Sequence, residues 1–189
     1  MEQKKLRVAV IGAGGWGYQH ARAFSGRSDT ELVAIAGRTL ERTAKRAAEF
    51  KVPYYFSVPE LLEKEKPDFV SLCLPAQHTF ETTMAVIEAG IPLLSEKPIA
   101  YKLEEARALV AKAEEKNLFY AIDFNQRYSI PCLKAKQAID EGRLGRPVFA
   151  HWRFGHGWDT PYLDHPYLNL IKAQCHGLDL LEHLCGPIR

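Results

Sequence analysis

No stretch of this chain approaches the roughly 18 consecutive apolar residues that would suggest a membrane-spanning helix. The start, MEQKKLRVAVIGAGG, turns from basic to apolar, but glycine breaks the apolar run too soon for a signal-peptide core. Cysteine is sparse: Cys73, Cys132, Cys175 and Cys185 stand apart and form no C-x-x-C pair. That argues against a zinc knuckle and a disulfide framework, and it fits thiols in a reducing compartment. An excess of one charge is missing too. A formal net charge of +2 makes no case for nucleic acid or a membrane surface as partner. There is no repeat, low-complexity tract or flexible linker. What remains is ordinary globular composition, 47% hydrophobic and 25% charged. We therefore expect a soluble, cytoplasmic protein. Its 189 residues allow one full domain, or one plus part of another.

What is present begins with LRVAVIGAGGWG, Leu6 to Gly17. Leu6, Val8, Val10 and Ile11 read as a buried strand, and Gln19 to Phe24 is compatible with a helix. Between them Gly12, Gly14 and Gly17 have G-x-G-x-x-G spacing. A dinucleotide explains each glycine: the first for the tight turn, the second for approach of the pyrophosphate, the third for close helix packing. Gly12, Gly14, Gly15, Trp16 and Gly17 are the candidate phosphate-binding loop, at a helix start whose dipole favours anions.

Glu31 to Ala36 is a second continuous apolar strand, of the kind a parallel sheet buries on both faces. At its end an NAD site usually carries an acidic residue for the ribose 2′-hydroxyl. This chain has Gly37-Arg38-Thr39, with Arg42 a turn later. An arginine and a hydroxyl suit a 2′-phosphate, because guanidinium grips phosphate oxygens with a planar fork. NADP(H) is favoured as cofactor and NAD(H) stays possible; the alternative is that Arg38 is a solvated helix-start residue.

Further along, apolar strands (Phe69 to Leu74, Ile91 to Leu94, Leu118 to Phe124) alternate with helical segments. Those helices are Leu40 to Phe50, a short one after the Ser57/Glu60 capping box, Thr79 to Ala89, and one from Leu103 to near Asn117. Such alternation predicts an α/β fold with a doubly wound parallel sheet over residues 1–123. Residues 124–189 change character: a helix from Pro131 to about Glu141, an alternating strand from Val148 to Phe154, and a helix from Leu168 to Leu184. About 65 residues with one strand do not readily build a core of their own.

Three groups of residues together resemble the Gfo/Idh/MocA oxidoreductase family. The first is GAGGWG. The second is Leu74-Pro75, Glu81, Glu88-Ala89-Gly90 and Glu96-Lys97-Pro98. The third is Asp123-Phe124-Asn125-Gln126-Arg127-Tyr128, Gly142-Arg143-Leu144-Gly145 and His176-x-x-Asp179. The resemblance implies a Rossmann domain followed by an α+β domain, of which residues 124–189 would be the N-terminal part. That second domain carries substrate contacts and often an oligomer interface, so a homo-oligomer is expected. Family members usually exceed 300 residues, so the chain resembles a truncated or partial member.

The resemblance also assigns roles. Lys97 matches the family's catalytic lysine, whose ammonium hydrogen-bonds the reacting oxygen and stabilises charge on it. Glu96 would orient it or line the cofactor pocket. His176 matches the proton-transfer histidine, with an ordinary pKa near 6.5 that suits acid/base work. Arg127 falls near the nicotinamide end, and Leu74, Pro75 and His78 along the cofactor. Two positions depart from the pattern. Lys172 stands where many dehydrogenases have an aspartate, four residues before His176. Either it contacts an acidic substrate, or it is solvated and the catalytic set is incomplete. Thr79 occupies a place that is often histidine, with His78 one earlier.

His151, His156, His165, His176 and His183 cluster late in the chain, yet no H-E-x-x-H or close cysteine–histidine pairing supports a metal, and none is expected. Trp152, Phe154, Trp158, Tyr162 and Tyr167 either stack on a sugar or belong to a core. The function implied is hydride transfer between a nicotinamide cofactor and a secondary alcohol or ketone of a sugar, polyol or related metabolite. The alternative is a non-catalytic, nucleotide-binding member of the same family. A methyltransferase is disfavoured by Glu96-Lys97-Pro98. Apolar surface driving association is a further possibility.

Overall fold

The computed structural model describes residues 4–153 and 174–188. The chain forms two compact units, Met1–Asp123 and Phe124–Arg189.

The first unit is built on a six-stranded sheet. Its strands are β1 (Leu6–Ile11), β2 (Thr30–Ala36), β3 (Tyr54–Tyr55), β4 (Phe69–Leu72), β5 (Leu93–Glu96) and β6 (Tyr120–Asp123). The order across the sheet is β3-β2-β1-β4-β5-β6 and every pairing is parallel. Chain order therefore reverses between β1 and β4, and such a switch point opens a crevice at the strand C-termini. Helices α1 (Gly15–Ser25), α2 (Leu40–Phe50), α3 (Val58–Glu65), α4 (Thr79–Glu88) and α5 (Leu103–Glu115) make the crossovers.

Side-chain alternation along β1 explains why both faces are covered. Val10 joins Leu32, Ile35 and Ala21 on one face. Ala9 and Ile11 join Val70, Leu72, Leu93, Val86, Ile87 and Leu109 on the other. A strand buried on both sides must be apolar at successive positions, which is why β1 and β2 read as continuous runs. The helices begin and end where local chemistry directs. The Ser57 hydroxyl accepts the Glu60 N–H at 3.3 Å to start α3, with proline in its first turn. Gly90, at φ +72°, follows the end of α4.

The second unit contains α6 (Ile130–Asp140) and α7 (Cys175–Cys185). The expected strand from Val148 to Phe154 is corrected: residues 148–153 are in no strand, and Phe154 lies outside the described residues. Val148 and Phe149 are 95% and 86% exposed. Alternation specifies a strand only when a partner takes its backbone hydrogen bonds and a layer covers its apolar face. The first part of the expected helix from Leu168 to Leu184 also falls outside the described residues. The four cysteines form no disulfide. Among the described residues no helix is long and apolar enough to cross a membrane.

Candidate functional site

The glycine loop sits at the switch point. Gly12 has φ +124°, and a Cβ there would stand 2.2 Å from the Cys73 carbonyl oxygen. A Cβ on Gly17 would stand 1.7 Å from the Gly12 carbonyl oxygen. Both positions are closed to any side chain: one by the end of β4, the other by the loop's own backbone. Gly14 and Gly15 differ, since a Cβ on either meets nothing within 4 Å. They leave a bare strip of backbone at the N-terminus of α1. The first turn of that helix holds no acidic residue and no side chain caps it. Its amide groups are thus available to an anion. Packing demands the outer two glycines, and the open middle fits a pyrophosphate.

Beside the loop lies a cavity of about 410 Å³ whose lining includes Ile11, Ala36, Gly37, Arg38, Leu74 and His78. The ends of β1, β2 and β4 all feed it. Arg38 Nη1 lies 3.0 Å from His78 Nε2, so two separately nominated residues meet on one wall. Thr79, at the position often histidine in the family, is buried and its hydroxyl donates to the Pro75 carbonyl. His78 therefore faces the cavity where Thr79 does not. Gly37 is also a packing position: a Cβ there would stand 2.4 Å from Thr43 Oγ1. Thr39 is the N-cap of α2, but its side chain makes no capping bond. Glu81 and Glu105 line the same cavity. Glu105 escaped sequence reasoning because α5 reaches this place only through tertiary packing.

Lys97 follows β5 directly. Its backbone N–H donates to Glu96 Oε2 at 3.2 Å, and Glu96 is buried. The group behind Glu96 was also missed. His20, on the sheet-facing side of α1 with Gly17 and Ala21, is buried. Its Nε2 lies 3.4 Å from Glu96 Oε1 and 3.3 Å from Asp123 Oδ2, and its Nδ1 lies 2.7 Å from Ser71 Oγ. Burial opposes charge on this ring, but its hydrogen bonds with Asp123, Cys73 and Glu96 outweigh that and push its pKa up to about 11. The one available signal was position: a histidine one turn past Gly17, on the helix face that must meet the sheet.

In the second unit His176 and Asp179 are buried on α7. The His176 ring meets Phe124 edge-on, centroids 6.0 Å apart. Arg127 clasps Asp179 with two hydrogen bonds, Nε to Oδ2 at 2.7 Å and Nη2 to Oδ1. This holds the Arg127 pKa above its ordinary range. Trp152 Nε1 donates to Gln174 Oε1 at 3.1 Å, and its indole packs so closely on Gly177 that a Cβ there would stand 2.2 Å away. Trp152 is thus a packing residue of α7. Lys172, His156, His165, Trp158, Tyr162 and Tyr167 lie outside the described residues.

Comparison with known proteins agrees with this fold. The model of an oxidoreductase family with an NAD-binding Rossmann fold, Gfo/Idh/MocA, matches residues 6–124. The chain belongs to that family. A D-glucoside 3-dehydrogenase of Escherichia coli (strain K12) is 33% identical over 147 residues, covering 77% of this chain and 42% of that protein. A scyllo-inositol 2-dehydrogenase (NAD(+)) of Bacillus subtilis (strain 168) is 26% identical over 189 residues, covering 97% of this chain and 55% of its own. The chain spans about half the length of these curated relatives. An oxidoreductase from Agrobacterium radiobacter, solved in complex with NAD+, L-tartaric acid and magnesium, shares the fold. Its TM-score is 0.88 at 22% identity, over 98% of this chain and 56% of that one.

Proposed function

We propose that the chain binds a nicotinamide dinucleotide and belongs to an oxidoreductase acting on a secondary alcohol or ketone of a sugar or polyol. The observation that carries this reading is the bare backbone strip at Gly14 and Gly15, set at the switch point and facing the start of α1. The relatives named as glucoside and inositol dehydrogenases support the substrate class.

When bound, the nicotinamide supplies the hydride donor or acceptor. The protein's residues do the rest. The first-turn amides of α1 hold the phosphates. The Lys97 ammonium hydrogen-bonds the reacting oxygen and stabilises the charge developing there. His176 takes the hydroxyl proton in the oxidative direction and returns it in the reductive one. Lys172 would pair with a carboxylate or phosphate on the substrate; an acid-free polyol turned over as well as its acid analogue would overturn that role. Arg38 and Thr39 favour the 2′-phosphate of NADP(H), whereas Glu81 and Glu105 in the same cavity disfavour added negative charge. The cation is the nearer match to a phosphate fork, so NADP(H) stays the favoured cofactor.

A fluorescence titration with NADPH and NADH, run beside the thermal midpoint, tests this. Saturable binding that raises the midpoint supports the reading. Binding without turnover of any sugar, with Lys97→Ala indistinguishable from wild type, supports the non-catalytic alternative. No binding of either overturns both.

A further inference from the structure

Glu96 is 7% exposed, and its two oxygens have different tasks. Oε2 accepts the Lys97 backbone N–H. Oε1 lies 3.4 Å from His20 Nε2, within ion-pair reach, and accepts no hydrogen bond among the described residues. A carboxylate removed from water needs a cation or a donor close by. His20 stands in that place, and the same nitrogen faces Asp123. Ser71 holds the opposite side of the ring and fixes its plane, while Cys73 completes the groups around it. One side chain on α1 thus reaches the C-terminal ends of β4, β5 and β6. That helix is also the one that opens with the glycine loop.

We propose that His20 is a positioning residue for the Lys97 turn: its ring holds the Glu96 and Asp123 carboxylates, and Glu96 in turn fixes the backbone amide of Lys97. This rests on the role given to Lys97 above. It makes the phosphate-binding helix and the lysine parts of one scaffold, so that phosphates seated at the start of α1 and an oxygen held by Lys97 keep a constant relation.

The test is nuclear magnetic resonance on the 189-residue chain without cofactor. Nitrogen shifts of the His20 ring are expected to show both nitrogens protonated near pH 8. His20→Gln is expected to speed exchange of the Lys97 amide about tenfold while the Val10 and Leu72 amides keep theirs. A neutral His20 ring near pH 8, or unchanged Lys97 exchange, overturns the proposal. The donor atoms of His20, Glu96 and Asp123 lie within 4.8 Å of one another, a spacing a metal ion also accepts. Zinc added alone is therefore included: ring signals that stay in place support the proposal, and saturable binding abolished by His20→Gln overturns it. If His20→Gln fails to fold, Glu96→Gln decides. It is expected to lower the pH at which His20 loses its proton and to loosen the Lys97 amide; the absence of both changes overturns the proposal. These readouts need no turnover. A Lys97→Ala chain that keeps full activity would sink the catalytic reading of Lys97 and leave them untouched.

Discussion

Arg38 and His78 are 40 residues apart in the chain and 3.0 Å apart in space. They come from the segments that follow β2 and β4, the strands on either side of β1, and meet over the cavity beside the glycine loop. If Arg38 takes the 2′-phosphate, Arg38→Ala weakens NADPH binding by about tenfold or more, the scale of a charge-assisted hydrogen bond. NADH binding changes little. Paired titrations of the two cofactors check this; equal loss for both would make Arg38 a structural residue.

The glycines of the loop separate fold from binding. Gly17→Ala drives a methyl into the Gly12 carbonyl, with a loss of roughly 1–3 kcal/mol expected from overpacking. Gly14→Ala and Gly15→Ala meet open space and should leave the denaturant midpoint nearly unchanged while weakening the dinucleotide. Urea melts beside cofactor titrations give both numbers. A Gly14→Ala chain that binds as wild type would remove the pyrophosphate from that strip.

The pH dependence of stability should carry the mark of His20. Its pKa is pushed from 6.5 up to about 11, burial opposing and the Asp123, Cys73 and Glu96 hydrogen bonds prevailing. The folded state then holds a proton that the unfolded chain releases above the ordinary value. The stabilisation is whole below pH 6.5 and is lost progressively as pH rises toward about 11. Tyr55 and Tyr120, both pushed up to about 12, titrate later. Thermal midpoints of wild type should therefore fall between pH 6.5 and about pH 9.5, and His20→Gln should flatten that slope. Parallel slopes would disprove it.

In the second unit, Asp179→Asn removes the charge that Arg127 clasps through two hydrogen bonds. Asp179 is buried and Arg127 is partly exposed, so a loss of about 1–3 kcal/mol is expected rather than the full penalty of a buried pair. Arg127→Lys should lose most of the same amount, because an ammonium cannot reproduce the fork. Denaturant melts measure both. Cofactor titration of Arg127→Lys then asks whether that guanidinium also serves the nicotinamide end.

Much of the first unit was legible in the residues. β1, the glycine turn and α1 follow one another as strand, loop and helix, and α2 begins at Leu40 and ends at Phe50 as its pattern indicates. Periodicity and glycine spacing are local, and local signals survive folding. β3 was not legible, because Tyr54 and Tyr55 are too few to show a period and pair only with β2. β5 runs Leu93–Glu96 rather than Ile91 to Leu94, since strand bounds depend on the neighbouring register. At the site, the loop and Lys97 were nominated from their motifs. His20 was not, because Ser71, Glu96 and Asp123 come from three different strands and only sheet order gathers them. Glu105 in the cavity wall was missed for the same reason.

Asp123 is the last residue of the first unit, and it touches the unit's first helix. The piece is thus closed like a clasp, its end fastened to its beginning. A gene cut a few codons beyond 123 should yield an autonomous module with its ring of partners complete. One cut a few codons earlier should yield a module that unzips from its newest strand, with His20 left holding a single carboxylate.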